Sequence, residues 1–244
     1  MGLNKPVGFM KSSGEGESPF SGHATLTEDL DHYYKADDSG SFPDSTGGSD
    51  GTINGATYTA SGKINGAYDF DGNNDTIDLG FSVDSGYNTA FTVSHWVKLD
   101  TLDNDSRPTI TTDVATSGRG FTIYFDTSGW GMTNTVFTWV HDGSTIRVVS
   151  ADNGAITTGV WYHIVVTWDN SSNTLNLYLN GSNVNNIKSS GTPGNMALNE
   201  FVIGFNTGQQ NYFGGIVDEV GFWKRVLTTD EISDLYNSGD GLTY

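Results

Sequence analysis

Apolar and polar residues alternate with a period of two along most of this chain. The clearest stretch is Trp161–Gly181, WYHIVVTWDNSSNTLNLYLNG. Tyr162, Ile164, Val166 and Trp168 share one face of a first strand, and Leu175, Leu177 and Leu179 share one face of a second. The turn formers Asp169–Thr174 separate them, which predicts a hairpin with one face in a core. Phe91–Leu99 repeats the pattern with Phe91, Val93, His95, Val97 and Leu99. Ala67–Leu79 reads as strand, turn and strand, and short runs follow at 121–125, 136–140, 145–150, 201–205 and 215–223. Regularly spaced short strands predict an all-β fold, a sandwich or jelly roll.

One segment breaks the period. Thr228-Thr229-Asp230-Glu231 is a capping box, and Ile232, Leu235 and Tyr236 then fall at helical spacing. This predicts one short helix near the C-terminus, with Gly239 as its stop. Residues 1–31 show no sustained alternation; the Gly/Ser/Glu-rich text of Lys11–His23 predicts an N-terminal arm or tether ahead of a domain spanning 32–244.

Charge narrows the partners. Eleven Lys+Arg against 29 Asp+Glu give a net charge of −18, a field that repels phosphate backbones and argues against nucleic acid. It favours solubility and hard cations. There is no cysteine, which excludes disulfides and thiolate metal sites. No apolar run is long enough to cross a membrane, and the first twenty residues lack the apolar stretch of a secretory signal.

Four segments carry a family resemblance, in order: Gly66–Ile77 (GAYDFDGNNDTI), Phe91–Lys98 (FTVSHWVK), Trp161–Gly181, and Gly214–Trp223 (GGIVDEVGFW) running on through RVLTTDEISDLYNSG. Together they resemble the concanavalin A-like lectin/glucanase superfamily in its laminin-G-like branch. The resemblance implies a two-sheet antiparallel jelly-roll sandwich with one short C-terminal helix. It leaves function open, because this fold hosts lectins, hydrolases and structural domains.

Retaining hydrolysis needs two carboxylates about 5 Å apart across the scissile bond. The six glutamates form no such pair within a strand; Asp218 and Glu219 are adjacent and are expected on opposite faces. No nucleophile elbow surrounds the scattered histidines, and His95 and His163 read as packed imidazoles. The expectation is a protein that is not an enzyme. Relatives of this type often hold calcium, and the loops Asp44–Gly51 and Asp71–Asp75 offer oxygen ligands. Asp44, Asp75 and Asp218 are the candidate ligands of a structural Ca²⁺. Glycan binding needs an aromatic platform beside polar groups. Trp130 and Tyr212, with Asn211, lie in Gly- or Asn/Gln-rich loops and are the candidates, whereas Trp96, Trp161, Trp168 and Trp223 fall in strands and read as core.

The expected function is a non-catalytic binding or structural module that takes a glycan. Virion proteins of phages reconcile a laminin-G-like sandwich with the lack of a signal. A virion-surface decoration, fibre or adhesion protein is therefore expected, docked on a capsid or tail through the arm and able to form a homo-oligomer. A free or cell-surface carbohydrate-binding module is the alternative, and a glycoside hydrolase comes third.

Overall fold

Period-two alternation resolves into two stacked antiparallel sheets in the computed structural model, which describes residues 19–103, 105–112, 119–125, 131–197, 199–206 and 211–244. In chain order the strands are β1 (Leu30–Tyr34), β2 (Thr52–Asn54), β3 (Thr57–Thr59), β4 (Ala67–Asp71), β5 (Thr76–Ser82) and β6 (Ala90–Leu99). There follow β7 (Arg107–Thr112), β8 (Arg119–Phe125), β9 (Val136–Asp142), β10 (Ile146–Ser150), β11 (Trp161–Asp169) and β12 (Thr174–Leu179). The last are β13 (Ser182–Asn183), β14 (Asn186–Ser190), β15 (Glu200–Ile203), β16 (Phe205–Asn206), β17 (Asn211–Tyr212) and β18 (Gly214–Trp223), ahead of the helix α1 (Thr229–Tyr236).

The first sheet runs β13-β12-β11-β6-β18-β4-β3, with β1 also paired to β18. The second runs β14-β10-β9-β8-β7-β15-β5-β2, and β16 and β17 form a separate small ladder. The hairpin forms in the register its alternation requires: Ile164 faces Leu179, Val166 faces Leu177 and Trp168 faces Leu175. Its inward residues meet Phe91, Val93 and Val97 of β6, and across the sandwich Phe121 and Ile123 of β8 with Val136 and Val140 of β9. Each large apolar side chain sealed in this way contributes roughly 1.5–3 kcal/mol.

A second apolar layer covers the outside of the first sheet. Phe20, Leu26, Tyr33, Trp223, Ile232 and Leu235 pack there. The Trp223 indole N–H donates to the Leu26 carbonyl at 2.7 Å. The Arg225 guanidinium donates to the carbonyls of Thr25 and Glu28 and to both carboxylate oxygens of Glu231. Residues from Phe20 onward, expected within the arm, are thus built into the fold, while residues 1–18 lie outside the described residues. A buried Phe20 and Leu26 had no visible partner in the sequence, because α1 and β18 come some 200 residues later.

The capping box forms as expected: Thr228 accepts from the Glu231 N–H, and the Glu231 carboxylate accepts from the Thr228 N–H. The stop is Asn237 in the left-handed region (φ 47°, ψ 53°), not Gly239. Gly215 (φ +142°) pairs with Leu99 of β6; a Cβ there would meet the Lys98 carbonyl oxygen.

A bulge interrupts β18 between Asp218 and Gly221, with Glu219 at φ +48°. It overturns the expected opposition of Asp218 and Glu219. The extra residue restores the inward parity at Val220 and leaves both carboxyls on the outer side. Asp218 Oδ2 accepts the N–H groups of Lys63 and Ile64, and Glu219 Oε2 accepts the Tyr33 hydroxyl at 2.6 Å.

Candidate functional site

The outer face of the second sheet carries one rung of side chains across all eight of its strands. Register places Ser189 beside Val148, Val148 beside Trp139, Trp139 beside Thr122, and Thr122 beside Thr111. Thr111 then lies beside Val202, Val202 beside Asp78, and Asp78 beside Thr52. Directly paired residues point to the same side, and the neighbours of this rung along β8 and β9 belong to the core between the sheets. The rung therefore faces away from that core.

The centre of the rung is closed. Thr111 and Thr122 are fully buried with their hydroxyls 2.8 Å apart, and the Asn206 amide donates to Thr111. The β9 side is more open. Trp139 and His141 are half-buried, with ring centroids 6.0 Å apart and planes at 90°. Beside them on the same face Tyr124 stacks on Phe137 at 5.1 Å, within a cluster that includes Met132 and Val148. This cluster fixes the indole from one side and leaves Ile146 and Ser189, also half-buried, along its border. A partly exposed indole on a rigid strand, with an imidazole beside it, can stack on an apolar ring face while the imidazole reads its edge. Burial lowers the pKa of His141, so its ring favours the neutral form, donor on one nitrogen and acceptor on the other.

Trp139 was absent from the sequence-based candidates. It sits in a short aromatic run whose strand text looks like core. Only the pairing partners reveal that its parity is outward. Trp130 lies outside the described residues. Tyr212 is half-buried and stacks on Phe205 at 4.4 Å. The Asn211 amide donates to Asp105 and to the Ser106 carbonyl, so it secures its own ladder against β7. Of the strand tryptophans, Trp96, Trp168 and Trp223 are buried as expected. Trp161 is half-exposed, with the Lys98 ammonium 5.3 Å from its ring centroid.

The structure does not bring Asp44, Asp75 and Asp218 together. Among the described residues no three His, Asp or Glu side chains form a metal-holding group. Asp44 accepts from His32 at 2.6 Å, from the N–H groups of Tyr33 and Thr46 and from the Thr46 hydroxyl. Asp218 accepts three backbone N–H groups, from Lys63, Ile64 and Glu219. Both carboxylates already have protein donors on each oxygen, and they do not fit a shared calcium ion, which needs six to eight free oxygen ligands. Asp75 accepts the Asp71 N–H and lines a shallow acidic cleft with Asp69, Asp71 and Asp100. His32 is better described as an ion-pair centre: burial opposes its charge, but hydrogen bonds to Asp31 and Asp44 raise its pKa to about 8.

With fold and face described, comparison with known proteins decides the family. The concanavalin A-like lectin/glucanases superfamily model, in its laminin-G-like form, matches residues 71–233, two thirds of the chain. The chain belongs to this laminin-G-like family. Among solved structures, the laminin-G-like chain is similar to domain 4 of AbnA, an extracellular arabinanase from Geobacillus stearothermophilus, in complex with arabinotriose. That likeness has 23% identity and a TM-score of 0.63, and covers 84% of this chain and 97% of that one. Trypanosoma rangeli sialidase is similar at 16% identity and a TM-score of 0.66, over 88% of this chain and 34% of that one. The receptor-binding domain of a botulinum neurotoxin C/D mosaic serotype is similar at 11% identity and a TM-score of 0.65, over 87% of this chain and 52% of that one. Identities this low establish the shared sandwich of the laminin-G-like chain and nothing finer. No curated protein matches its sequence.

Proposed function

We propose that this protein is a non-catalytic carbohydrate-binding module whose ligand stacks on Trp139. The observation that carries the reading is the partly exposed indole at the open side of the second sheet, packed on one side against Tyr124 and Phe137. The AbnA domain, similar over nearly its whole length, was solved in complex with arabinotriose, which supports a sugar as the ligand class. Carboxylate placement supports binding over turnover. Asp218 and Glu219, the adjacent pair, are 0% and 2% exposed, so no glycosidic bond reaches them. Glu231 is committed to its helix cap and to Arg225. The test is an array of neutral and charged glycans with the full chain, followed by incubation with each bound polysaccharide. Binding without release of shorter products is expected; an array with no binder, or turnover of a bound glycan, overturns the proposal.

The placement of the N-terminal segment and Trp139 on opposite sides of the sandwich supports display from a larger body, on a virion or a cell surface. Residues 20–29 pack against the helix-covered side of the first sheet, whereas Trp139 lies on the far side of the second. A tether on the N-terminal side of Phe20 would hold the module with its platform outward. Capsid, portal or tail genes beside its own are the expected neighbourhood; a neighbourhood of polysaccharide-degradation genes would replace the virion setting with a free module.

A further inference from the structure

Three loops border an open cleft of about 450 Å³ lined by Ser85, Asn88, Thr89, Asn170, Ser171 and Asn195. Every lining side chain is polar and uncharged. The walls are stitched to one another. Asn88 is buried, accepts the Met196 N–H at 2.7 Å and donates to the Met196 carbonyl. The Asn170 amide donates to the Asn88 carbonyl at 2.8 Å and to the Asn195 side-chain oxygen, and the Asn170 N–H donates to the Thr89 carbonyl. The Thr89 hydroxyl donates to the Ser85 carbonyl. Among the described residues, the Ser85 hydroxyl, the Asn170 side-chain oxygen and the Asn195 side-chain nitrogen make no hydrogen bond to the protein. Such preset neutral donors and acceptors suit hydroxyl groups, because little ordering entropy remains to be lost on binding.

The surrounding charges select against anions. Asp84 and Asp169 flank the cleft in sequence. Asp84 is paired with Lys224, which also pairs with Asp31, and Asp169 accepts the hydroxyls of Ser171 and Ser172. All four guanidinium groups are engaged: Arg107 with Asp103, Arg119 with the Asp142 carbonyl, Arg147 with the Gly191 carbonyl and Arg225 with Glu231. The net charge of −18 adds a field that repels a sugar carboxylate. The cleft also adjoins the platform strand. Asp142, the last residue of β9, accepts the Gly194 N–H at 2.8 Å, and Asn195 follows directly. Three residues of strand, on the order of 10 Å, separate Trp139 from Asp142.

We infer that this asparagine cleft is a second subsite that takes an uncharged sugar of a neutral oligosaccharide and rejects sialic and uronic acids. The inference rests on the reading of the protein as a glycan-binding module. It is tested by ¹H–¹⁵N spectra of the full chain titrated with neutral arabino-, xylo- and gluco-oligosaccharides, with sialyllactose and with oligogalacturonate. The side-chain amides of Asn88, Asn170 and Asn195 are expected to shift with a neutral oligosaccharide and not with either acid. Asn195→Ala is expected to weaken that binding about tenfold, the loss of one good hydrogen bond, with an unchanged melting temperature. If a neutral ligand shifts the Trp139 indole signal while the asparagine amides stay still, or if Asn195→Ala binds as the parent does, the cleft is not a subsite although the module reading stands. Shifts of those amides with an acidic sugar overturn the neutral class. If no ligand moves either the indole or the amides, both readings fall.

Discussion

Trp139→Ala is expected to abolish measurable glycan binding while the protein stays folded. A central aromatic anchor typically contributes 2 kcal/mol or more, a loss of about thirtyfold or greater in affinity. The fold should tolerate the change because Trp139 lies outside the core between the sheets, on a strand paired on both sides. Tyr212→Ala is expected to cost less, since that ring is packed on Phe205 in a peripheral ladder. Calorimetry with the best array ligand checks both. Equal affinity for Trp139→Ala and the parent would remove the platform, and a larger loss for Tyr212→Ala would move it to the β16–β17 ladder.

Glu219→Gln is expected to stabilise the protein at pH 8 and to change it little at pH 5. Glu219 is sealed beneath Tyr33, and one of its carboxyl oxygens has no hydrogen-bond partner. Burial, with the neighbouring Asp218 charge, pushes its pKa well above the carboxylate range. The folded state then keeps a proton that the unfolded chain releases from about pH 4.5 upward. With more protons bound to the native state, stability falls as pH rises through that window, by about 1.4 kcal/mol per pH unit. Glutamine keeps the shape and the acceptor for Tyr33 and does not titrate. Two other groups shift in the same sense. Burial holds Asp218 at about 8, and His32 loses its ion-pair stabilisation between its unfolded value and about 8. Both remain in the variant, so the difference between the two proteins reports Glu219 together with its coupling to Asp218. Urea unfolding at pH 5, 6.5 and 8 gives that difference; parallel profiles for parent and variant would refute the assignment.

The histidines show how much local text can say. His95 and His163 read as packed imidazoles from their strand positions, and both are buried with pKa values lowered by burial to about 3. The glutamate cap of α1 was equally legible, because a capping box is local chemistry within four residues. Calcium ligands were harder to judge. Asp44 and Asp218 sit in loop and strand text that permits coordination, yet each is saturated by backbone N–H groups and side chains brought from elsewhere. The donors that fill an aspartate come from distant segments, and no spacing rule anticipates them.

Alternation, turn chemistry and capping are properties of neighbouring residues, and from them the sequence by itself determined most of the longer strands, the hairpin register at Trp161–Gly181 and the C-terminal helix. What only the tertiary structure decided depends on which strands lie side by side. The pairing of β8, β9 and β10 turned Trp139 outward, the bulge at Glu219 put two adjacent carboxyls on one side, and α1 with Trp223 drew residues 20–29 out of the expected arm. The asparagine cleft joins residues 85–89, 170–171 and 195, more than a hundred positions apart at its extremes. Long-range pairing sets these positions because exposure is a property of the assembled sheets, whereas period and propensity act over a few residues of chain.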